Sequence, residues 1–302
     1  MVSEYKAVFG ECFCGNNTWD IVYSGPVRQG RDERETGVVG RCKQCGVERL
    51  DKASCENEVI YENNAYREVL GQKDSSCFIA EHDVNQSQHL AKLWPMELRG
   101  KIVADVGAAA GSLLDHVAGL AAKTIAIEPC KKFHQELHDK CHWVFPYAKE
   151  AARDFGGRCD FVFCMDVIEH VEKPIELLQE MAELLKPDGK IVLVTPNRNY
   201  ILKQLIPEVF LRYDYRTVHT WYFDRDSLKR CAELAGLSVK VEKCIHRWGI
   251  SNFVLWLKDH RPSWHSEKIL DSPILDACWI STLETAWLGD NICQILTKGV
   301  ES

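Results

Sequence analysis

Residues 102–114 read Ile-Val-Ala-Asp-Val-Gly-Ala-Ala-Ala-Gly-Ser-Leu-Leu, a short apolar run followed by a turn of small residues. The turn leads directly into a second apolar pattern, which predicts a strand, a tight turn and a helix. Because small side chains leave the backbone amides accessible and the helix dipole favours negative charge, the start of such a helix can bind an anionic group, either a pyrophosphate or a carboxylate. The stretch therefore predicts an α/β fold with a ligand at the end of its first strand.

The central region alternates short apolar runs with amphipathic helices, a pattern typical of a parallel sheet covered on both faces. We predict a doubly wound, Rossmann-like α/β fold with a seven-stranded sheet. A helix over 226–235 is expected to precede the last two strands, which would close the far edge of the sheet. The predicted strands are residues 102–106, 124–128, 143–145, 161–165, 190–195, 238–244 and 252–258.

The composition is that of a globular chain with an acidic charge balance. The 302 residues are 46% hydrophobic and carry a formal net charge of −7, so they can bury a sizeable core and lack the broad basic face that binds nucleic acid. No apolar run approaches the roughly 20 residues needed to span a membrane, and the start of the chain lacks the basic and apolar pattern of a secretory signal. We expect a cytoplasmic protein without a membrane span.

Four of the 14 cysteines form two close pairs near the N-terminus, and a glycine follows each pair. Two thiolate pairs on opposing turns supply the tetrahedral sulfur ligands that zinc accepts, and four such ligands leave no open position for catalysis. The pattern predicts a structural zinc ribbon, although its first pair is spaced C-x-C instead of C-x-x-C. Four free thiols in a flexible head are the alternative. The predicted zinc ligands are Cys12, Cys14, Cys42 and Cys45.

Glu128 ends the second predicted strand, roughly 20 residues after Asp105, where an acidic residue binds ribose hydroxyls in dinucleotide-binding folds. Together with the small-residue turn, it indicates an adenosine ligand. A nicotinamide dehydrogenase would use the same edge of the sheet, but the G-x-G-x-x-G spacing is absent because Gly107 is followed by Gly111. A small-residue turn alone would also suit close helix packing.

The chain resembles the class I methyltransferases that use S-adenosylmethionine (SAM). The resemblance spans residues 100–258 and is closest to the branch that contains ubiquinone-type O-methyltransferases and sugar methyltransferases. Some bacterial sugar methyltransferases also carry an N-terminal zinc module. The segments that carry the likeness are Asp-Val-Gly-Ala-Ala-Ala-Gly at 105–111, Glu-Pro at 128–129, Asp-Val-Ile-Glu-His-Val at 166–171 and Leu-Lys-Pro-Asp-Gly at 185–189.

The resemblance implies roles for the residues of the turn. Asp105 would orient the turn and the amino group of SAM, while Gly107 and Gly111 would admit its methionine part. Glu128 would bind the ribose. The usual middle glycine of the family is Ala109 here, which predicts a slightly wider turn or a slightly displaced cofactor. The further cofactor contacts that it implies are Pro129, Ala148 with Lys149 for the adenine, Asp166 and Val167.

The acceptor is expected at the carboxyl ends of the fourth and fifth strands, where open α/β sheets place ligands. Methyl transfer to a hydroxyl requires in-line alignment and removal of a proton, and a neutral histidine suits the second task. We predict His219 as the general base, with His170 and then His246 as further candidates. His219 lies in an aromatic insertion that resembles the acceptor lid of the related enzymes. Residues predicted to shape the acceptor pocket are Tyr213, Tyr215, Arg216 and Tyr222, and Tyr222 is also placed in the catalytic set.

These patterns divide the chain into four predicted segments. The zinc ribbon covers 1–55, a helical linker covers 56–98, the methyltransferase domain covers 99–260 with its acceptor lid at 198–225, and a tail at 261–302 docks on the core. Apolar residues at helical spacing predict the linker helices. They are Tyr66, Val69, Leu70, Leu90, Leu93 and Trp94, and the tail carries Trp264, Trp279 and Trp287.

The combination predicts SAM-dependent methyl transfer to a small molecule. We expect a hydroxyl of a sugar or sugar nucleotide as the acceptor, with a carbon atom as the second choice. A phenolic or quinone acceptor is the main alternative, and it predicts a more continuously apolar lid. A zinc-containing scaffold that binds SAM or a nucleotide without chemistry is the alternative from another class, and the acidic charge balance disfavours nucleic acid as substrate.

Overall fold

The computed structural model describes residues 8–30, 33–63, 75–93, 97–140, 142–262 and 267–299. Tyr66, Val69, Leu70, Trp94 and Trp264, named above, lie outside these residues. The strands are β1 (Trp19–Gln29), β2 (Glu33–Cys42), β3 (Glu48–Leu50), β4 (Ile102–Val106), β5 (Lys123–Ile127), β6 (Trp143–Phe145), β7 (Cys159–Met165), β8 (Leu185–Pro196), β9 (Trp221–Tyr222), β10 (Leu237–Ile245) and β11 (Asn291–Lys298).

Helices cover both faces of the large sheet and connect its parallel strands. Leu90 and Leu93 lie on the second helix, and Leu93 is buried. The helices are α1 (Val59–Glu62), α2 (Ser75–Leu93), α3 (Ser112–Val117), α4 (His134–Asp139), α5 (Ala148–Phe155), α6 (Pro174–Leu184), α7 (Ile201–Leu205), α8 (Pro207–Asp214), α9 (Arg225–Leu234), α10 (Ile250–Asp259) and α11 (Pro273–Thr285).

The large sheet has seven strands in the order β10-β11-β8-β7-β4-β5-β6. The strands β4 to β8 pair in parallel, and β11 is antiparallel to both β8 and β10. From β4 the chain moves outward to β6 and then returns to the other side of β4 with β7. Ligands bind at such a reversal of strand order, beyond the carboxyl ends of the strands. The seven-stranded Rossmann-like sheet is as expected from the sequence.

The last predicted strand is wrong, because residues 252–258 lie in helix α10. The buried residues of this helix are Ser251, Asn252, Leu255 and Trp256, a spacing of three to four that belongs to a helix. A short apolar run does not separate a strand from a buried helix. The seventh strand is β11, which inserts between β8 and β10, so the segment after residue 260 forms part of the sheet. The predicted end of the methyltransferase domain at 260 is therefore too early.

The N-terminal segment forms its own sheet and shares it with the lid. β1 and β2 form a hairpin, β2 pairs with β3, and β3 pairs with β9, which lies within residues 198–225. One core cluster contains Trp19 of β1 and Val47, which precedes β3, together with Ile191 of β8 and Phe223 of the lid. This N-terminal segment, whose described part is residues 8–30 and 33–55 and which is called the head below, therefore packs on one face of the large sheet.

The helices offer no candidate for a membrane span. Across the part of the chain that the structure describes, none is both long enough and apolar enough to cross a bilayer.

Candidate functional site

The turn after β4 depends on a close contact with the segment that follows β7. Gly107 has φ +79°, and a Cβ built on it would lie 2.4 Å from Cγ2 of Val167. Its amide and that of Ala108 donate to the carbonyl of Ile127, at 2.8 and 3.2 Å. Only glycine meets both the positive φ and the close approach. The predicted cofactor residues Gly107 and Val167 therefore lie against each other, with no room for a side chain at position 107.

Ala109 takes the left-handed conformation that explains why a glycine is usual at this position. Its φ is +46°, a region that costs an alanine about 1 kcal/mol or more. The Ala109 amide donates to Oε2 of Glu128 at 2.7 Å, and the Cys130 amide donates to Oε1 at 2.8 Å. This clamp on the carboxylate stabilises the turn without the third glycine. A carboxylate oxygen accepts more than one hydrogen bond, so Glu128 can still accept from a ribose hydroxyl.

Asp105 and Gly111 lie at the two ends of the turn, Asp105 in β4 and Gly111 before helix α3. Asp105 is 5% exposed, and its burial, followed by the nearby charge of Glu128, raises the pKa of its carboxyl well above the ordinary value. Gly111 has φ +85° and precedes helix α3, whose buried face includes Leu113 and Leu114. Both residues lie beneath the ligand-facing surface of the turn and shape it.

A cavity of about 430 Å³ opens above these strand ends, within the range of small-molecule sites. Its lining joins the predicted cofactor residues to the predicted histidines. The residues that line its cofactor end are Gly107, Glu128, Pro129, Ala148, Asp166 and Val167, and those that line its acceptor end include His170, Arg216 and His219. Asp105, Ala109, Gly111 and Tyr222 are absent from its lining.

Asp166 joins the cofactor end to the seventh strand. It follows β7 with φ +54°, and its Oδ1 accepts from Nδ2 of Asn291 on β11 at 3.1 Å. A non-glycine residue in this region is uncommon and marks local strain. Strand β11, which sequence reasoning placed in a docking tail, therefore helps to orient a cavity-lining carboxylate.

Two histidines and a buried glutamate form the acceptor end of the cavity. The rings of His170 and His219 meet edge to face with centroids 4.7 Å apart, and Oε1 of Glu169 lies 3.9 Å from Nε2 of His170. The three side chains bring ligand atoms within 4.8 Å of one another, close enough to hold a divalent cation. Tyr61 approaches from helix α1, with its hydroxyl 2.9 Å from Nδ1 of His170.

The protonation of this cluster is set by its burial. Burial, followed by the charge of Asp166, raises the pKa of Glu169 to about 8. Burial, followed by the charges of His170 and Arg216, lowers the pKa of His219 well below its ordinary value. Nδ1 of His170 lies 2.7 Å from the carbonyl oxygen of Val218, which assigns the proton to Nδ1 and leaves Nε2 unprotonated. At neutral pH the imidazole of His219 is neutral and can accept a proton.

The tyrosines predicted for the acceptor pocket lie elsewhere. The hydroxyl of Tyr222 accepts from the Arg216 amide at 2.8 Å, and that of Tyr215 donates to Glu48 at 2.9 Å. Both rings belong to a core cluster with Val27 and other residues of the head. Side chains alternate in direction along β9 and the residues beside it. Because β9 pairs with β3 of the head, the side chains of Tyr215 and Tyr222 point into the head. The ring centroid of Tyr222 lies 5.8 Å from that of His219, so the structure brings Tyr222 beside the predicted base but not into the lining of the cavity.

His246, the third candidate base, is also outside the cavity. It is 1% exposed, and its Nδ1 lies 3.1 Å from Oδ1 of Asp290. The same carboxylate accepts from Nε of Arg247 at 2.8 Å, and Arg247 itself lines the cavity. His246 therefore orients the carboxylate that holds a cavity-lining guanidinium.

The four N-terminal cysteines converge as their spacing predicts. Sγ of Cys12 lies 3.5 Å from Sγ of Cys45, and Sγ of Cys14 lies 3.6 Å from Sγ of Cys42. All four sulfurs lie within 4.8 Å of one another. Zinc–sulfur bonds of about 2.3 Å give a tetrahedron with edges of about 3.8 Å, so the donor set fits zinc. The described cysteines form no disulfide with one another.

Pairing between β3 and β9 places the head beside the acceptor end. Glu48 on β3 accepts from Arg198 and Arg41, and Arg198 also pairs with Asp224. The amide of Leu50 donates to Thr220 at 3.1 Å, one residue beyond His219. The head therefore holds the backbone that carries His219.

Sequence reasoning missed several residues of this end. Glu169 was quoted in a motif without a role, although an acidic residue beside a histidine is a signal for a proton-sharing pair. Tyr61 lies in a helical segment without a chemical pattern, and Arg247 lies in a stretch that looked like the turn between two strands. These three become neighbours of the cavity only through tertiary packing.

The family model and two relatives that match this chain are all methyltransferases. A family model described as a methyltransferase domain matches residues 80–241, more than half of the chain. The ubiquinone biosynthesis O-methyltransferase of Bradyrhizobium diazoefficiens is 33% identical over 157 residues, which cover 49% of this chain and 59% of that protein. Its counterpart from Thiobacillus denitrificans is 31% identical over 155 residues, covering 47% and 67%. The match with the first relative thus spans less than two thirds of its length.

A solved structure has the same fold. The SAM-dependent methyltransferase of Archaeoglobus fulgidus aligns with a TM-score of 0.50 over 73% of this chain and 99% of that chain, at 16% identity. The glycine turn, the acidic end of the second strand and the sheet order agree with the family match. The chain therefore belongs to the methyltransferase domain family, within the class I methyltransferases that use SAM.

Proposed function

We propose that the protein transfers the methyl group of SAM to a hydroxyl oxygen of a small-molecule acceptor. One observation carries the proposal: a single cavity is lined at one end by Gly107 and Glu128 of the cofactor motifs and at the other by His170 and His219. In-line transfer needs the cofactor and a proton acceptor in one enclosed space. The cavity meets that requirement.

The cofactor residues are proposed to act as follows. SAM supplies an electrophilic methyl group on sulfur. Gly107 leaves room for its methionine part, Glu128 accepts hydrogen bonds from its ribose, and Ala148 with Pro129 borders its adenine. Asp166 and Val167 border the same space from the end of β7. Asp105, Ala109 and Gly111 shape the turn from beneath.

His219 is proposed as the general base, with His170 and Glu169 as the groups that position it. His219 is neutral and lines the cavity, so it can accept the hydroxyl proton as the new bond forms. Its low pKa makes it a weak base by itself. The neighbouring carboxyl of Glu169, whose pKa is raised to about 8, keeps its own proton near neutral pH, so it is proposed to help position the histidines and not to take up the hydroxyl proton. A base held in place by its neighbours is a common arrangement in proton transfer.

A sugar or sugar nucleotide is our first candidate acceptor. The acceptor end carries imidazole, guanidinium and carboxyl groups, which suit a ligand with many hydroxyls. The second candidate is a phenol, because the relatives named above are ubiquinone biosynthesis O-methyltransferases. A phenol would need a flat apolar surface, and the lid tyrosines that could provide one are turned into the head.

The four cysteines are proposed to hold a structural zinc ion. The sulfur distances given above support this, and Asn16 adds a hydrogen bond from Nδ2 to Sγ of Cys42 at 3.2 Å, as is usual around zinc-bound thiolates. The ion would stabilise the head and, through β3 and β9, the position of His219.

The first test is isothermal titration of the full chain with S-adenosylhomocysteine (SAH) and with NADH. Micromolar binding of SAH, weakened in Asp105→Asn and absent for NADH, is the expected result. Turnover is then measured with nucleotide sugars and with catechols. Binding of NADH in preference to SAH would overturn the cofactor assignment. Binding of SAH without methylation of any acceptor in either class would favour a scaffold over an enzyme.

A further inference from the structure

Two guanidinium groups between the head and the lid lack an anionic partner. Arg28 is the second-to-last residue of β1 and is 7% exposed. Arg216 lies in the lid and lines the cavity. Neither forms an ion pair with any carboxylate that the structure describes. Their Nε atoms are buried without a hydrogen-bond partner among the described residues, as are those of Arg49 and Arg198, so it is the missing carboxylate that sets this pair apart. Burying charge in this way is costly unless something compensates it.

Three other arginines, Arg49 buried and the other two half-buried, show what is missing. Arg49 pairs with Glu172 at 3.3 Å, Arg198 pairs with Glu48 at 3.2 Å, and Arg247 pairs with Asp290 at 2.8 Å. Each of these has the carboxylate that a buried guanidinium requires. The absence of such a partner is thus specific to Arg28 and Arg216 within this set.

The backbone holds these two residues side by side. They form a parallel β-bridge, the Arg28 amide donates to the Tyr215 carbonyl at 2.8 Å, and the Thr217 amide donates to the Arg28 carbonyl at 3.0 Å. The guanidinium carbon of Arg28 lies 4.0 Å from the ring centroid of Tyr213, and that of Arg216 lies 5.8 Å from it. Cation–π contact with one ring offsets only part of the cost of two neighbouring cations.

The local electrostatics agree with an unneutralised pair. Burial, followed by the charge of Arg216, lowers the pKa of Arg28 to about 10. Of the other ionisable groups nearby, Lys203 pairs with Asp214 at 2.5 Å, and the carboxyl of Glu169, whose pKa is raised to about 8, is protonated at neutral pH. Although burial opposes it, the charges of Arg28 and Arg216 lower the pKa of Tyr213 below its ordinary value. The surroundings therefore have room for one more negative charge.

We propose that Arg28 and Arg216 form a subsite for an anionic group of the acceptor, a phosphate or a carboxylate. This rests on the proposed function, because Arg216 lines the same end of the cavity as His219, and Arg28, which is outside the lining, is joined to Arg216 by the β-bridge. Guanidinium groups bind both kinds of anion through paired hydrogen bonds. The head then has a direct part in recognition, since Arg28 comes from β1, whereas the methyl-transfer residues come from the large sheet and the lid.

The test uses SAH-saturated full-length protein and two probes, inorganic pyrophosphate for the phosphate class and gluconate for the carboxylate class. Affinities are measured by isothermal titration for the wild type, Arg28→Gln, Arg216→Gln and the control Arg230→Gln, which removes an exposed arginine of α9. We expect one probe to bind the wild type and to lose at least about tenfold in affinity in both subsite variants. The control and the SAH affinity of all variants should stay unchanged.

The outcomes separate the two proposals. If SAH binds and neither probe depends on Arg28 or Arg216, the subsite is overturned while the proposed function stands. If SAH does not bind the wild type, the proposed function fails, and the titrations repeated without SAH test the subsite by itself. Should Arg28→Gln fold poorly in a thermal melt, Arg28→Lys replaces it, and a loss of affinity there would still support paired hydrogen bonding.

Discussion

The two ends of the cavity are built in different ways. At the cofactor end, Gly107 and Ala109 follow β4 directly and Glu128 ends the adjacent strand, so neighbouring parts of the chain meet through backbone amides. At the acceptor end, Tyr61, Glu169 and Arg216 come from helix α1, the end of β7 and the lid, and their side chains line one cavity. The cofactor end is therefore a local motif of the sheet, whereas the acceptor end is assembled from side chains that are distant along the chain.

This difference indicates where specificity resides. Backbone amides and small residues bind what every member of the class shares, so the cofactor end needs little beyond the correct turn. Side chains drawn from three segments can change independently of that turn. We therefore expect damage to the head to remove acceptor chemistry and leave cofactor binding intact, and the predictions below test this separation.

The largest effect is expected from breaking the cysteine cluster. Structural zinc contributes on the order of 10 kcal/mol to the folding of small modules, so Cys42→Ser should lose the metal, unfold the head and abolish methyl transfer. SAH affinity should change by less than about threefold, since no zinc ligand lies at the cofactor end. Metal analysis, turnover and titration measure these, with Cys278→Ser on an exposed position as control. Loss of SAH binding would show that the two ends are not separable.

A substitution in the turn should do the reverse. Gly107→Ala places a Cβ 2.4 Å from Cγ2 of Val167 at a positive φ, so we expect SAH affinity to fall by about a hundredfold or more while the zinc content is retained. Gly119→Ala, whose Cβ would meet nothing within 4 Å, is the matched control. Titration with SAH decides it, and equal affinities in the two variants would contradict the close contact.

Removing the base should separate binding from turnover. His219→Ala should slow methyl transfer by about a hundredfold and leave SAH affinity unchanged, because His219 lines only the acceptor end. The exposed His138→Ala serves as control. Steady-state kinetics with a saturating acceptor measure the effect, and unchanged turnover would remove His219 from the mechanism.

Glu169 should make the stability of the fold depend on pH. Its pKa is raised from 4.5 to about 8 in the folded chain, so between these values the unfolded chain has released a proton that the folded chain keeps. The contribution of Glu169 to the free energy of unfolding must then decrease as pH rises through this window. Glu169→Gln should remove about 3 kcal/mol of decrease relative to the wild type. Asp105 contributes with the same sign in both proteins, and His89 and His219, whose pKa values are lowered, contribute with the opposite sign below about pH 6.5. Urea melts from pH 5 to 8 test this, with Asp188→Asn as control, and parallel slopes for wild type and Glu169→Gln would contradict it.

The smallest effect is expected at Ala109. Glycine relieves its left-handed strain but adds freedom to the unfolded chain, so Ala109→Gly should change the free energy of unfolding by less than about 1 kcal/mol in either direction. Ala152→Gly in helix α5 should cost about 1 kcal/mol. Thermal melts of both variants compare the sites. A clear loss of stability in Ala109→Gly would show that the turn does not strain the alanine.

Periodicity and short motifs in the sequence determined the class of sheet, the small-residue turn, the role of Glu128 as an acidic strand end and the convergence of four cysteines. These features depend on residues close along the chain, where spacing dictates geometry. Local patterns fail at residues 252–258, which were predicted as a strand, because a single apolar run is compatible with a strand or with a helix until the burial of its residues is known.

Only the tertiary structure decided which residues face the acceptor. The β3–β9 pairing turned Tyr215 and Tyr222 into the head, brought Arg28 beside Arg216, and left β11 to complete the sheet from a segment that looked like a tail. Contacts across almost 190 residues between Arg28 and Arg216 carry no local pattern. Side-chain direction in a strand is set by its partner strand, so the chemistry of the acceptor end follows from pairing that no stretch of sequence contains.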